Sequence, residues 1–245
     1  MAKITAKNVG IAASGRDVSG RSNNMTLTIT AEAPEVTGFG EGTRSRLPDG
    51  LADIELGVDG FFDASASQVD ELFQPLVAAS SFWGVFNQGF TACNIGREFT
   101  GILTEYTVNT PVADATTTTI TVAASPPVVD AKVLATGSLV GSGASAAGAG
   151  VDYGAATTGS VYGIMRVLAV AGSTPQIAAS LQDSTNDSTW ATLAEFTTTS
   201  FGGNYNYVLA PSAARYRRFK YLVSASGTST GSAGVLVTCG SIIYQ

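Results

Sequence analysis

The side chains of this chain that could do chemistry are carboxylates, and three of them fall in one short run. Asp53-Ile54-Glu55-Leu56-Gly57-Val58-Asp59 alternates polar and apolar residues. In a strand, side chains at i, i+2 and i+4 share a face, so Asp53, Glu55 and Asp59 line one surface while Ile54, Leu56 and Val58 line the other. A carboxylate pair could serve a glycosidase, and a cluster could hold calcium. Carboxylates projecting the same way from one strand repel each other, and either site would need further groups from elsewhere. The run therefore reads as a solvated or channel-facing surface. The 245 residues contain no histidine, which removes triads built on an imidazole base and every His-ligated zinc or iron site. There is no P-loop, and no glycine-rich or nucleophile-elbow motif is set between a strand and a helix. Two cysteines, Cys93 and Cys239, are too few for a zinc ribbon or an iron–sulfur cluster, and both are expected as buried free thiols. The chain reads as a protein that is not an enzyme and uses no metal or cofactor.

Charge narrows the classes further. Lys and Arg number 13 against 19 Asp and Glu, for a net charge of −6 and a pI near 4.6. A nucleic-acid binder needs a basic face. The one basic run, Arg215-Tyr216-Arg217-Arg218-Phe219-Lys220, interleaves cations with aromatic rings and invites a stacking-and-phosphate reading. In so acidic a chain, a strand whose cations face solvent or an acidic neighbour is the stronger expectation. No stretch reaches the ~18 apolar residues of a membrane span. Lys3 and Lys7 near the start have no apolar segment behind them, so no secretory signal is expected and synthesis in the cytoplasm is.

Positioning such residues falls to strands. Charged residues are 13% of the chain and apolar ones 44%, a balance that favours a folded protein over disorder. Period two dominates: Met25-Thr26-Leu27-Thr28-Ile29-Thr30-Ala31-Glu32 alternates throughout, and further strands are expected over 99–108, 117–123, 131–140, 160–170, 176–183, 189–197, 205–209, 216–225 and 235–244. Helical period appears once, over 66–79. There Ser67 is an N-cap with Asp70 three residues on, and Val69, Leu72, Phe73, Leu76 and Val77 form one apolar stripe. Pro75 must bend or shorten that helix. Residues 39–49, with charges of both signs, are too long for a minimal hairpin turn and read as an extended arm. Gly141-Ser-Gly-Ala-Ser-Ala-Ala-Gly-Ala-Gly150 reads as a linker. The expected fold is all-β with one short helix: a domain over 1–140, the linker over 141–150, and an antiparallel β-sandwich over 151–245.

Several stretches carry a resemblance. Ser19-Gly20-Arg21-Ser22-Asn23-Asn24-Met25-Thr26-Leu27, Ala31-Glu32-Ala33-Pro34-Glu35-Val36-Thr37-Gly38-Phe39-Gly40, Leu47-Pro48-Asp49-Gly50-Leu51-Ala52-Asp53 and Gly60-Phe61-Phe62-Asp63 resemble, in that order, the N-terminal half of siphophage major tail tube proteins. Ala135-Thr136-Gly137-Ser138-Leu139, Val161-Tyr162-Gly163-Ile164, Leu181-Gln182-Asp183-Ser184 and Arg215-Tyr216-Arg217-Arg218-Phe219 resemble longer members of that group. An Asp49-Gly50 stands where Pro-Gly is common.

The resemblance implies two packed β-sheets of the phage tail tube type, one lining a lumen, with a helix outside. It implies a virion tail protein whose hexameric rings stack into a conduit for DNA, which passes without specific binding during ejection. The partners implied are further copies of the chain, with tape measure, tail terminator and baseplate proteins, and no membrane. On this basis Asp53, Glu55, Asp59, Thr28, Thr30 and Glu32 are expected to face the lumen. Phe39, Glu41, Arg44, Arg46, Leu47, Asp49 and Leu51 are expected to form an arm that packs on neighbouring subunits. The competing expectation is a carbohydrate-binding or adhesion sandwich in which Trp190, Tyr205 and Tyr207 stack on sugars.

Overall fold

The computed structural model describes residues 9–31, 35, 52–62, 69–112, 114–141, 145–156, 159–172, 175–200, 203–212, 214–224 and 231–244. Glu32, Phe39 to Leu51, expected as an arm, and Ser67, expected as the N-cap, lie outside them. The strands of the first half are β1 (Gly10–Ala13), β2 (Arg16–Asp17), β3 (Ser22–Ala31), β4 (Ala52–Phe61), β5 (Ser80–Phe86), β6 (Ile95–Asn109) and β7 (Thr117–Gly141). Those of the second half are β8 (Ser145–Ala147), β9 (Val151–Asp152), β10 (Gly159–Ala171), β11 (Gln176–Ser184), β12 (Ala191–Thr199), β13 (Asn204–Ser212), β14 (Tyr216–Ser224) and β15 (Gly231–Tyr244). The fold is all-β, as the period-two patterning requires.

Two antiparallel sheets result. One runs β13-β10-β15-β7-β6-β5-β1-β2, with β4 also on β7 and β3 on β4. The other runs β12-β11-β14-β8, with β9 also on β14. Strands expected separately over 117–123 and 131–140 are one strand, β7, 25 residues long. On one side β7 pairs with β6 from Thr117 to Lys132, but that ladder steps from Val128 to Ser125 and skips Pro126 and Pro127. On the other side its partner is β4 as far as Ala123 and β15 from Val128 onward. The prolines, which offer no N–H, occupy the gap where neither ladder asks for one.

Within the described residues the helix ends at Phe73, short of the 79 expected. α1 spans Val69–Phe73, and Gln74–Leu76 tightens into a 3-10 turn with Pro75 in its first turn. Proline cannot donate to an α-helical bond within the helix, so the α-turn stops there. The apolar stripe still does its work: Phe73 is buried, with its ring stacked on Trp83 at 5.9 Å between centroids, and Leu72 and Leu76 pack on the same core.

One apolar cluster, including Ile11, Leu56, Trp83, Phe99 and Val122, lies among β1 and β3–β7. A second, including Val161, Met165, Leu181, Phe219 and Val237, lies between β10 and β15 of the large sheet and β11, β12 and β14 of the small one, as in a sandwich. The changeover falls inside β7, between Val128 and Leu134. Part of the stretch read as a linker is a strand, because Ser145–Ala147 pairs with Lys220–Leu222 at the edge of β14. Small side chains fit that edge, and the unpaired N–H and C=O groups of β14 gain partners there.

The large sheet also curls back on itself. Gly15, after β1, forms a bridge to Gly203, just before β13. A Cβ on Gly15 would lie 2.1 Å from the Gly203 carbonyl oxygen. Inside this curl sits a fully buried ion pair in which Arg166 Nη1 and Nη2 donate to Glu98 Oε1 and Oε2 at 2.8 and 2.6 Å. Arg166 Nε donates to the Ser14 carbonyl at 2.8 Å, and the Thr238 hydroxyl donates to Glu98 Oε1 at 2.9 Å.

Candidate functional site: an acidic sheet face

Alternation turns four neighbouring strands into one two-faced unit, in the order β3-β4-β7-β6. In register across β3 and β4, Thr30 lies opposite Asp53, Thr28 opposite Glu55, Thr26 opposite Gly57 and Asn24 opposite Asp59. The rows continue from Glu55, Gly57 and Asp59 to Ala123, Thr121 and Thr119 of β7, and from the latter two to Glu105 and Thr107 of β6. Asp53, Glu55, Thr26, Thr28, Thr30, Glu105, Thr107 and Thr119 are exposed. The opposite face presents Ile54, Leu56, Val58, Ile120, Val122 and Leu103 to the core. Asp53, Glu55 and Asp59 thus share the solvent face of β4, with Thr28 and Thr30 beside them. Gly57 leaves that face open, since a Cβ there would meet nothing closer than 4.0 Å.

The carboxylates are held apart rather than gathered. Asp59 accepts from Asn24 Nδ2 at 3.0 Å and from the Thr119 hydroxyl at 2.8 Å, and these two bonds, in that order, lower its pKa below the usual aspartate range. Glu105 accepts from the Thr107 hydroxyl at 3.0 Å. Among the described residues no group of three or more His, Cys, Asp or Glu side chains is placed to hold a metal ion. What the face can do is present fixed negative charge on a hydroxyl-rich surface that contains no cation among the described residues. Sequence reasoning missed the contribution of Glu105, Thr107, Thr119 and Thr121. Their alternation was legible, but which strand β4 adopts as its second neighbour was not.

The basic run meets the expectation of an acidic neighbour at Arg215 and departs from it at Arg217, which is buried. Arg215 makes a two-pronged pair with Asp152, at 2.7 and 2.6 Å, which brings the aspartate pKa down to about 2. Arg217 is buried with its guanidinium 4.3 Å from the centre of the Tyr153 ring. Arg218 stacks on Trp190 at 4.3 Å and donates from Nε to Gln182. The aromatic residues proposed for sugar stacking do not share a platform. Trp190 lies under Arg218 beside the small sheet, whereas Tyr205 and Tyr207 sit on β13 against Phe82. Of the two cysteines, Cys239 is buried as expected, but Cys93 is exposed, in a turn with φ +70°.

No family model matches the sequence, and no curated protein matches it. Among solved structures, a chain in the virion of a native gene transfer agent particle is 15% identical, with a TM-score of 0.42 over 52% of this chain and 97% of that one. The SPP1 Dit protein, described as a hub of the adsorption apparatus in phages infecting Gram-positive bacteria, is 13% identical, with a TM-score of 0.37 over 96% and 99% of the two chains. A chain of infectious bursal disease virus, Gx strain, is 12% identical, with a TM-score of 0.32 over 98% of this chain and 59% of that one. With TM-scores this low, what the chain does is read from its own residues.

Proposed function

We propose that the chain is a structural virion protein, a tail tube subunit whose acidic face lines a channel for DNA. The observation that carries this reading is the four-stranded unit, polar and acidic on one face and apolar on the other, with both of its edges open. Among the described residues β3 pairs only with β4, and the Glu105–Asn109 part of β6 pairs only with β7. Open edges invite pairing, and closure into a barrel removes them. The resemblance noted above implies six copies per ring. Six four-stranded units make about 24 strands, which at ~4.8 Å spacing close at a backbone radius of about 18 Å if untilted and about 24 Å at ~40° tilt. Such a bore passes a DNA duplex once side chains are subtracted.

The charge suits that use. A channel that neutralised phosphates would release counterions and trap the DNA. Carboxylates at Asp53, Glu55, Asp59 and Glu105 repel the backbone over about one Debye length, ~8 Å at physiological salt, and the threonine hydroxyls keep the wall wetted.

Negative-stain microscopy of the purified protein is the test. Rings or tubes are expected, and a population of single particles at every concentration would refute the reading. Asp53→Lys, Glu55→Lys and Asp59→Lys together are expected to leave tubes intact and to slow DNA ejection from particles carrying them. Normal ejection, or a reconstruction with these carboxylates away from the bore, would remove the face from the channel.

A further inference from the structure

We infer that residues 2–8 of this chain lie along the free edge of β3 in the same copy and fill the apolar groove beneath it. The groove is a pair of adjoining cavities on the inward side of β3. One, of about 180 Å³, is bounded by Val9, Ile11, Ser22 and Met25. The next, of about 280 Å³, is lined by Met25, Leu27, Ile29, Val85, Ile95 and Arg97. The two share Met25, so together they follow β3 from Ser22 to Ile29. Ile29 and Ile95 stand open at 44% and 52% exposure. Among the described residues β3 pairs only with β4. An edge strand over an open apolar groove is a seat for one more strand.

The chain itself supplies that strand. Val9, the first described residue, lines the groove at its Met25 end and packs on the same core as Met25 and Leu27. Before it stand Ala2-Lys3-Ile4-Thr5-Ala6-Lys7-Asn8. At ~3.4 Å per residue they reach about 24 Å from Val9, the same span as β3 from Asn24 to Ala31. Ala2, Ile4 and Ala6 alternate with Lys3, Thr5 and Lys7, the pattern of a half-buried strand. Running back along the groove from Val9, the segment lies antiparallel to β3. Setting Ile4 beside Ile29 puts Ala6 beside Leu27 and Ala2 beside Ala31, while Lys7, Thr5 and Lys3 fall beside Thr26, Thr28 and Thr30. A slip of one residue would turn the lysines into the groove, so the pattern fixes which side faces in. Charge agrees, because Thr30 and Thr28 lie opposite Asp53 and Glu55 of β4, and the lysines then stand on the acidic face with one strand between them and those carboxylates. The tether at Val9 gives this segment a high effective concentration, which favours it over the same segment of another copy. Its consequence for assembly rests on the tube reading: β3 cannot pair with a neighbouring copy until the segment leaves the edge it guards.

A reducible lock tests the seat and its consequence separately. In a Cys93→Ser background, which leaves only the buried Cys239, Ile4→Cys with Ile29→Cys is treated with copper–phenanthroline as oxidant. The expected product is a bridge within one chain, seen as a compact monomer on a non-reducing gel. Thr5→Cys with Ile29→Cys, which the alternation sets on opposite faces, is expected to bridge at least tenfold more slowly. A bridge between chains, equal rates from positions 4 and 5, or no bridge at all would overturn the docking and leave the tube reading in place. The locked protein is expected to form no tubes until a reductant opens the bridge. Tubes from locked protein would overturn the guarding role and keep the docking. A bridge within one chain, with no tubes from the parent or the reduced protein, would overturn the tube reading and keep the docking.

Discussion

Truncating Glu98 or Arg166 is expected to cost more stability than any surface change in the molecule. Both side chains have 0% exposure, and every polar atom of the pair is engaged. In Arg166→Met the Glu98 carboxylate keeps only the Thr238 hydroxyl, and the Ser14 carbonyl loses its donor. Breaking a buried pair on one side costs about 3–5 kcal/mol, because the remaining charge stays out of water without compensation. Glu98→Gln is expected to cost a similar amount, since it leaves the Arg166 cation buried without a counter-charge and sets an amide NH2 against a guanidinium N–H. Gly84→Ala probes the same site without touching charge. A Cβ at Gly84 would lie 2.8–2.9 Å from the Glu98 carboxylate, whose two oxygens are pinned and cannot swing aside, so overpacking of about 1–3 kcal/mol is expected. Urea denaturation followed by tryptophan fluorescence measures all three, because Trp83 is fully buried opposite Ala13, the residue before Ser14, on the neighbouring strand. If Arg166→Met shifts stability by less than ~1 kcal/mol, the pair is solvated in the working protein and the curled arrangement of the large sheet is wrong.

The two cysteines differ in exposure, and each difference has a measurable consequence. Cys93 is exposed and Cys239 buried, so the native protein is expected to titrate one thiol per chain with a disulfide reagent, and two in denaturant. Burial pushes the Cys239 thiol up to about 11 from an ordinary 9.0. The unfolded chain therefore ionises first, and the stability from keeping this thiol neutral, full below pH 9, is lost as pH rises toward 11. At ~1.4 kcal/mol per unit that is on the order of 2–3 kcal/mol. Cys239→Ala is expected to flatten the stability profile over that interval, and an unchanged profile would show that the thiol is not shielded.

What could be read from the sequence follows the range of the interaction. Alternation placed Asp53, Glu55 and Asp59 on one face and Ile54, Leu56 and Val58 on the other, because side-chain direction in a strand is a local property. Pro75 announced the short helix for the same reason. Strand neighbours are not local. Nothing in 117–141 says that β7 runs unbroken past Pro126–Pro127 or that it takes β4 and then β15 as partners, so the extent of the acidic face beyond β3 and β4 was invisible. The stretch 141–150 misled because composition reports what a segment can do in isolation, whereas Ser145–Ala147 is drawn into a strand by the open edge of β14. Arg166 and Glu98, 68 residues apart, look in sequence like ordinary strand residues, and only the closing of the curl makes them partners.

The buried pair also bears on assembly, through register. Strand pairing has a period of two, so a slip of two residues between the halves of the curled sheet would preserve every apolar face and cost little in hydrophobic burial. A bidentate guanidinium–carboxylate contact tolerates no such slip, since both pairs of atoms must meet at once. Glu98 and Arg166 lie on β6 and β10, which are not neighbours in the ladder, and the contact therefore fixes one side of the curl relative to the other. A subunit that pairs edge to edge with its neighbours needs that precision, because a register error in one copy displaces every open N–H and C=O it offers the next. Replacing both partners with apolar residues, Glu98→Leu with Arg166→Met, removes the desolvation cost of two charges, and such replacements range from neutral to about 1–4 kcal/mol stabilising. The double variant is therefore expected to melt at or above the parent temperature and yet to form shorter or more irregular tubes by electron microscopy. Tubes indistinguishable from the parent's would show that apolar packing alone sets the register, and that the ion pair plays no part in assembly.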